Sequence, residues 1–530
     1  MYLLTACFPI LSIFLLMVLM RVSAVWAMAI GGVGTFLLGL WIWQMPLRYL
    51  LAASIEGMVI ALSILSIVFG AMLLLFWQQQ SGNLRIIIAA LQRLSPDPRL
   101  QVLWLSWFAV AFLEGIAGFG TPAAIIAPIL LSLGVAPLAA AGLPLIADSS
   151  AVSFGAIGTP VLIGIAQGAP QLNAEQLREV YLLAAQLDWL AAPILPVMIM
   201  AIYCRWFSPA RSWSAFRAVL PVTLVAGFSY STVLLATAWW LGPEFPSIIA
   251  AALGFAITYY ASTLAWFQPS AMPSTPETQA ESPHGTLELG PSSRALLWAL
   301  LPYLVLVMLL LLSRLPQLPF KGYLQQFQLQ FANILGTDIS TSVAPFYLPG
   351  SLFVLTLVLL LPFYRQGGRL FWQSSQLAGG RLKTSLVTLM LAVPMVRIFV
   401  QSGTNGAQLP AMPSYIANSA VASVGEHWQW GAAWLGALGS FVAGSATFSN
   451  LMFSGLQLEI AAETGLSGVG LLALQMLGAN AGNMICIVNI VAVVSVMQKN
   501  GIESQVLRLT LLPMILYLSL VTGLGWWLLR

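Results

Sequence analysis

Between Glu114 and Val161 the chain reads EGIAGFGTPAAIIAPILLSLGVAPLAAAGLPLIADSSAVSFGAIGTPV, a run apolar enough for lipid that is nevertheless interrupted twice. GFGTP (Gly118 to Pro122) and GAIGTP (Gly155 to Pro160) put glycine, a hydroxyl and proline where a continuous helix keeps its hydrogen bonds closed. Backbone freed at membrane depth is tolerated only where protein or a water-filled cavity satisfies it. Paired breaks therefore predict a polar pocket inside the bilayer. Glu114 and Asp148 stand beside them.

Membrane depth follows from the rest of the chain. The 530 residues are 59% hydrophobic and 7% charged, against about 25% charged in a soluble domain. Apolar runs long enough to span recur from end to end, which predicts an all-α polytopic protein with about 12–14 membrane segments. The net charge of +4 comes from Lys and Arg in short loops and indicates no nucleic-acid partner. Cys7, Cys204 and Cys486 lie far apart without a CxxC, and neither HExxH nor a phosphate loop is present. No metal, cofactor or catalytic constellation is expected, so the chain does not read as an enzyme. The apolar N-terminus lacks a basic leader and reads as a first helix.

Spans are expected near 4–20, 24–43 and 51–77, followed by a basic loop at 78–100 and then the broken region. Further spans fall near 180–203, 218–241 and 246–267. Residues 268–293 are rich in Pro, Ser, Thr and Glu, as a flexible polar linker would be. They divide the chain into a first transmembrane unit, 1–267, and a second, 294–530. The second has spans near 294–312, 343–363 and 385–402, its own broken region (Phe441 to Gln457 and Gly478 to Val493), and a last span near 509–528.

The two halves match weakly in residues and well in order. At an offset of 326, Ala117 and Gly118 meet Ala443 and Gly444, and Thr121 meets Thr447. At an offset of 330, Ser153 meets Asn483 and Thr159 meets Asn489. Placing the basic loops at 78–100, 204–217, 365–383 and 499–508 in the cytoplasm makes the two broken regions cross in opposite directions. Two inverted-topology repeats with broken or re-entrant helices are the expected architecture, with one site at the midplane.

Several of these motifs resemble the lactate permease family: EGIAGFGTP (Glu114 to Pro122), FGAIGTP (Phe154 to Pro160), SIVFGAMLLL (Ser66 to Leu75) and the run from Gly439 to Gln457. The resemblance implies a secondary transporter in the bacterial inner membrane that imports lactate, glycolate or a related small 2-hydroxy monocarboxylate with a proton. The partners so implied are a small carboxylate, a proton and the lipid bilayer. Another small organic anion, or a passive channel or uniporter, is the alternative. The family's pattern often places Asp or Asn where this chain has Ala446, and Asn where it has Asp148.

A charged side chain at bilayer depth costs roughly 2.5–3.5 kcal/mol on insertion scales and so needs a role or a partner. Glu114, one turn before the first break, is the leading candidate for carrying the proton. Asp148, which reads first as a cap for the helix after it, and Glu56, which reads as facing an aqueous vestibule, are further proton-coupling candidates. Arg397, deep in its span, is suited to gripping a carboxylate, or else to permanent pairing with a buried acid. Gly118, Thr121, Ser149, Ser153, Thr159, Ser445, Thr447, Ser449, Asn450, Asn483 and Asn489 supply the remaining candidate substrate contacts. Small polar residues of this kind also serve as glue between membrane helices.

Overall fold

The computed structural model describes the chain apart from residues 17–19, 21, 23, 94, 119, 120, 268–291, 315–317, 500, 529 and 530. The linker at 268–293 thus lies almost wholly outside the described residues. The first half runs α1 (Tyr2–Phe14), α2 (Ala24–Trp41), α3 (Leu47–Gln80), α4 (Asn83–Arg93), α5 (Pro98–Leu103), α6 (Val110–Ile116), α7 (Thr121–Ser132) and α8 (Pro137–Val152). A short turn α9 (Gly155–Thr159), a π turn (Pro160–Ile165) and α10 (Ala166–Gly168) follow. Next come α11 (Ala174–Ala191), α12 (Ile194–Ile202), α13 (Trp213–Leu241) and α14 (Pro246–Thr263).

The second half runs α15 (Ser293–Arg314), α16 (Phe320–Gln326), β1 (Leu329–Phe331), β2 (Thr341–Val343), α17 (Pro349–Leu360), α18 (Gly367–Val400) and α19 (Met412–Val424). It ends with α20 (Gln429–Ala443), α21 (Ala446–Thr464), α22 (Gly468–Asn483), α23 (Ile487–Val496) and α24 (Glu503–Leu528). Seven described helices are long and apolar enough to cross a membrane, or nine if two bent pairs each count as a span, and four shorter apolar helices accompany them. The chain is an all-α membrane protein, with one antiparallel strand pair among the described residues, in which Leu329 faces Val343.

Three features differ from the expected pattern. The loop at 78–100 contains α4, an amphipathic helix whose apolar face packs on α15. The basic segment at 365–383 is largely helical, forming from Gly367 the first part of α18, which bends by 49° between Lys383 and Leu386 before the apolar run. The strand pair was not foreseen, since three-residue strands leave no measurable alternation.

Contacts between helices come in exchanged pairs. Helix α2 packs on α18 as α17 packs on α3, α1 packs on α19 as α15 packs on α4, and α3 and α18 pack on each other. Around the breaks, α7 packs on α23 as α21 packs on the π turn, and α8 packs on α24 as α22 packs on α11. Among the described residues, helices α13 and α14 have no counterpart in these exchanged contacts and flank the first half. Close approach depends on small residues: a Cβ on Gly57 of α3 would lie 2.5 Å from the Pro394 Cα of α18. Tight backbone contact of this kind replaces the hydrophobic effect between helices in lipid.

Candidate functional site

The breaks of both halves open on one small pocket. Helix α6 ends at Ile116 and Gly118 turns with φ +61°; α20 ends at Ala443 and Gly444 turns with φ +75°. Left-handed residues close a helix C-terminus cheaply only without a Cβ, which is why glycine recurs at this matched pair. After α8, Ala156, Ile157 and Gly158 run left-handed at φ 43°, 57° and 74° before the chain restarts at the π turn. A left-handed isoleucine is strained by about 1–3 kcal/mol, and here its side chain is fully buried. In the second half, α22 ends at Asn483 and α23 restarts at Ile487.

Glu114, Gly118, Gly155, Thr159 and Pro160 line the pocket from the first half, and Gly444, Ser445, Ala446, Thr447 and Asn483 line it from the second. Its free volume is about 20 Å³, room for about one water molecule. The start of α21 faces into it: Ser445 caps that helix, its hydroxyl accepting from the Phe448 amide at 3.4 Å. A helix start of this kind presents unpaired N–H groups and the positive end of the dipole, a ready anion site.

Acids supply the opposite electrostatics. Glu114 is 3% exposed and Asp148 is fully buried. Asp148 Oδ2 accepts from Asn483 Nδ2 at 2.7 Å, and Asn483 Oδ1 accepts from Asn489 Nδ2 at 2.9 Å. The Glu114 and Asp148 carboxyls lie within interaction range of each other, yet Glu114 Oε2 and Asp148 Oδ1 have no hydrogen-bond donor among the described residues. Two ionised carboxylates are acceptors only, so a proton on either carboxyl supplies a donor that the pair otherwise lacks. The backbone holds Glu114 in place, because a Cβ at Gly155 would come 2.5 Å from its Oε1.

Asp148 does not cap a helix. It lies inside α8, which continues to Val152, so the amides after it are already bonded within the helix. The other expected residues divide. Thr121 opens α7, but its side chain lies outside the described residues. Thr159, Ser445, Thr447 and Asn483 reach the pocket. Ser149 bonds back to the Ile146 carbonyl at 2.8 Å, and Ser449 donates to the Gly436 carbonyl at 2.7 Å. Ser153 accepts from Asn480 Nδ2 at 2.5 Å, and Asn450 donates to the Pro160 carbonyl at 3.2 Å, tying the halves together.

Arg397 is not part of the lining. Its Nη2 donates to Glu56 Oε1 at 2.5 Å and its Nη1 to the Gln167 carbonyl at 3.0 Å, and Gln401 adds a 3.3 Å bond to Glu56 Oε2. Glu56 is accordingly 5% exposed and faces no vestibule. Asn480, Ser150, Asp188 and Tyr517 join the buried polar network without having been singled out in the sequence. The available signal was Asp188, an acid inside the expected 180–203 span.

The family model described as L-lactate permease matches residues 2–529. A putative L-lactate permease of Haemophilus influenzae is 31% identical over 502 residues, covering 90% of this chain and 88% of that protein. The L-lactate permease of Escherichia coli K12 is 28% identical, covering 98% and 94%. The glycolate permease GlcA of the same strain is 27% identical with the same coverage. Among solved structures, the Alcanivorax borkumensis YdaH transporter aligns over 91% of this chain and 88% of its own, at 19% identity and a TM-score of 0.43.

Proposed function

The chain belongs to the L-lactate permease family, and on that premise we propose that it imports lactate, glycolate or a related small 2-hydroxy monocarboxylate by proton symport with alternating access. The observation that carries this reading is the shared pocket, in which an anion-attracting helix start from the second half faces Glu114, one member of a buried carboxyl pair supplied by the first. A substrate carboxylate sits at the first turn of α21, and Thr159, Ser445, Thr447 and Asn483 are placed to bond it or its 2-hydroxyl. The proton resides on the Glu114–Asp148 pair. Bringing an anion to about 4 Å from a second negative charge costs about 4 kcal/mol at an effective dielectric of 20, so protonation precedes or accompanies binding.

Alternating access has its own support. A three-carbon acid exceeds the free volume of about 20 Å³, so entry requires the two broken regions to move apart. The exchanged helix contacts and the distribution of basic segments favour an inverted repeat, whose halves open to opposite sides. Arg397 and Glu56 neutralise each other and anchor the end of the first broken region through Gln167, which leaves anion binding to the helix starts.

Competition in proteoliposomes tests the substrate class. Labelled lactate uptake is expected to saturate and to be suppressed by glycolate. Propionate, which lacks the 2-hydroxyl, is expected to compete on the order of tenfold less well, the equivalent of one buried polar group left without its partner. Equal competition by propionate removes the 2-hydroxy assignment, and absence of lactate uptake removes the substrate assignment.

A further inference from the structure

Asp188 is a buried acid that the pocket does not use. It lies near the end of α11 and is 2% exposed. Its Oδ2 accepts from the Ser150 hydroxyl at 2.8 Å and its Oδ1 from the Tyr517 hydroxyl at 2.6 Å. Among the described residues the buried basic side chains are Arg99 and Arg397, and they are bonded to Asp97 and Glu56. Glu114, Asp148 and Asp188 therefore form a set of buried acids to which no described base is bonded. Charge at this depth is costly enough that such a set is balanced by protons or by a bound cation.

Position links Asp188 to the pocket acids. Ser150 lies two residues after Asp148 on α8. Tyr230 on α13 lies near Ser150 and Ser247 and within electrostatic range of Asp188 and Glu114, and its hydroxyl makes no hydrogen bond among the described residues. On the other side, Tyr517 on α24 adjoins Asn480 of α22. The titratable groups facing Asp188 from packed elements are thus Tyr230 and Tyr517, with Glu114 and Asp148 as the neighbouring acids. Arg178 and Glu179 share its helix but lie about 15 Å away along the axis. Hydroxyl groups either donate or accept, so Ser150 and Tyr517 suit both the charged and the protonated carboxyl. Glu56, fixed by a guanidinium, has no such freedom.

We propose that Asp188 is a second proton-binding site that takes the proton which the Glu114–Asp148 pair releases, with the Ser150 hydroxyl already bonded to it and the unbonded Tyr230 hydroxyl turning to bridge the gap toward the pair. Each hydroxyl on the route accepts one proton as it gives up another, so only the carboxyls change charge. This rests on the proton-symport reading above.

The test compares native protein and Asp188→Asn in proteoliposomes by two assays: lactate exchange at equal pH, and uptake driven by a pH gradient. Exchange in the variant is expected to stay within about twofold of native, while gradient-driven uptake falls about tenfold or more, as for loss of an intramembrane proton relay. Undiminished gradient-driven uptake overturns the role of Asp188 and leaves symport standing. Loss of both activities in a monodisperse protein assigns Asp188 to structure and also overturns it. Native protein indifferent to the gradient overturns the symport reading itself. If Asp188→Asn is not recovered folded, Tyr517→Phe removes one donor with little change of shape; slowed gradient-driven uptake with intact exchange is then expected, and unchanged uptake overturns the proposal.

Discussion

Replacing Glu114 by Gln is expected to reduce pH-gradient-driven lactate uptake by at least about tenfold while lactate exchange persists, as removal of an intramembrane proton carrier should. The amide keeps the shape of the protonated acid, and its NH₂ group can donate to Asp148 Oδ1, which lacks a donor among the described residues. Folding is therefore retained. Binding changes in a diagnostic way. In the native protein a second negative charge beside the anion must be neutralised, so lactate affinity falls as pH rises. In the variant, the Glu114 contribution to that fall disappears and the profile flattens. A variant with undiminished gradient-driven uptake and an unchanged pH profile excludes Glu114 as a proton carrier.

Removing the guanidinium of Arg397 alone, as in Arg397→Ala, is expected to destabilise the protein by about 3–5 kcal/mol, because Glu56 is left as an uncompensated buried charge. The loss extends beyond the pair. Arg397 also donates to the Gln167 carbonyl, at the end of the segment that begins at the pocket with Pro160. The double variant Glu56→Gln, Arg397→Gln removes both charges and is expected to recover most of the thermal stability in detergent. Its half-saturation for lactate separates two roles. A value within about threefold of native, a difference of less than 1 kcal/mol, identifies a clamp. A loss of more than about tenfold in a folded protein, above 1.4 kcal/mol, makes Arg397 the substrate ligand that its place in the sequence first suggests.

The breaks were legible because their cause is local. Glycine, threonine and proline clustered within a few residues of lipid-compatible sequence open a helix, whereas a single Gly57 or Pro394 is carried inside one, and the Ala117-Gly118 and Ala443-Gly444 pairs have the left-handed turns that such glycines permit. Glu114 stood out for the same reason. Partnerships were not legible. Glu56 and Arg397 are 341 residues apart, and nothing in either segment encodes which of several carboxylates the guanidinium meets. Asp148 looked like a cap because Asp followed by two serines favours one, but α8 had already begun at Pro137, so helical bonding outweighed local preference. Asp188 sits among apolar residues, three positions before α11 ends at Ala191, and its own segment gives no sign of what it meets. Its weight comes from Ser150 and Tyr517, supplied by two distant helices.

Accumulation against a gradient is the most direct test of one pocket that couples an anion to a proton. Purified protein in proteoliposomes, held one pH unit more acid outside and with the membrane potential clamped to zero, experiences about 1.4 kcal/mol per proton. One proton per lactate predicts about tenfold accumulation inside, collapsed by an uncoupler. Lactate reaching only the same concentration on both sides contradicts proton coupling.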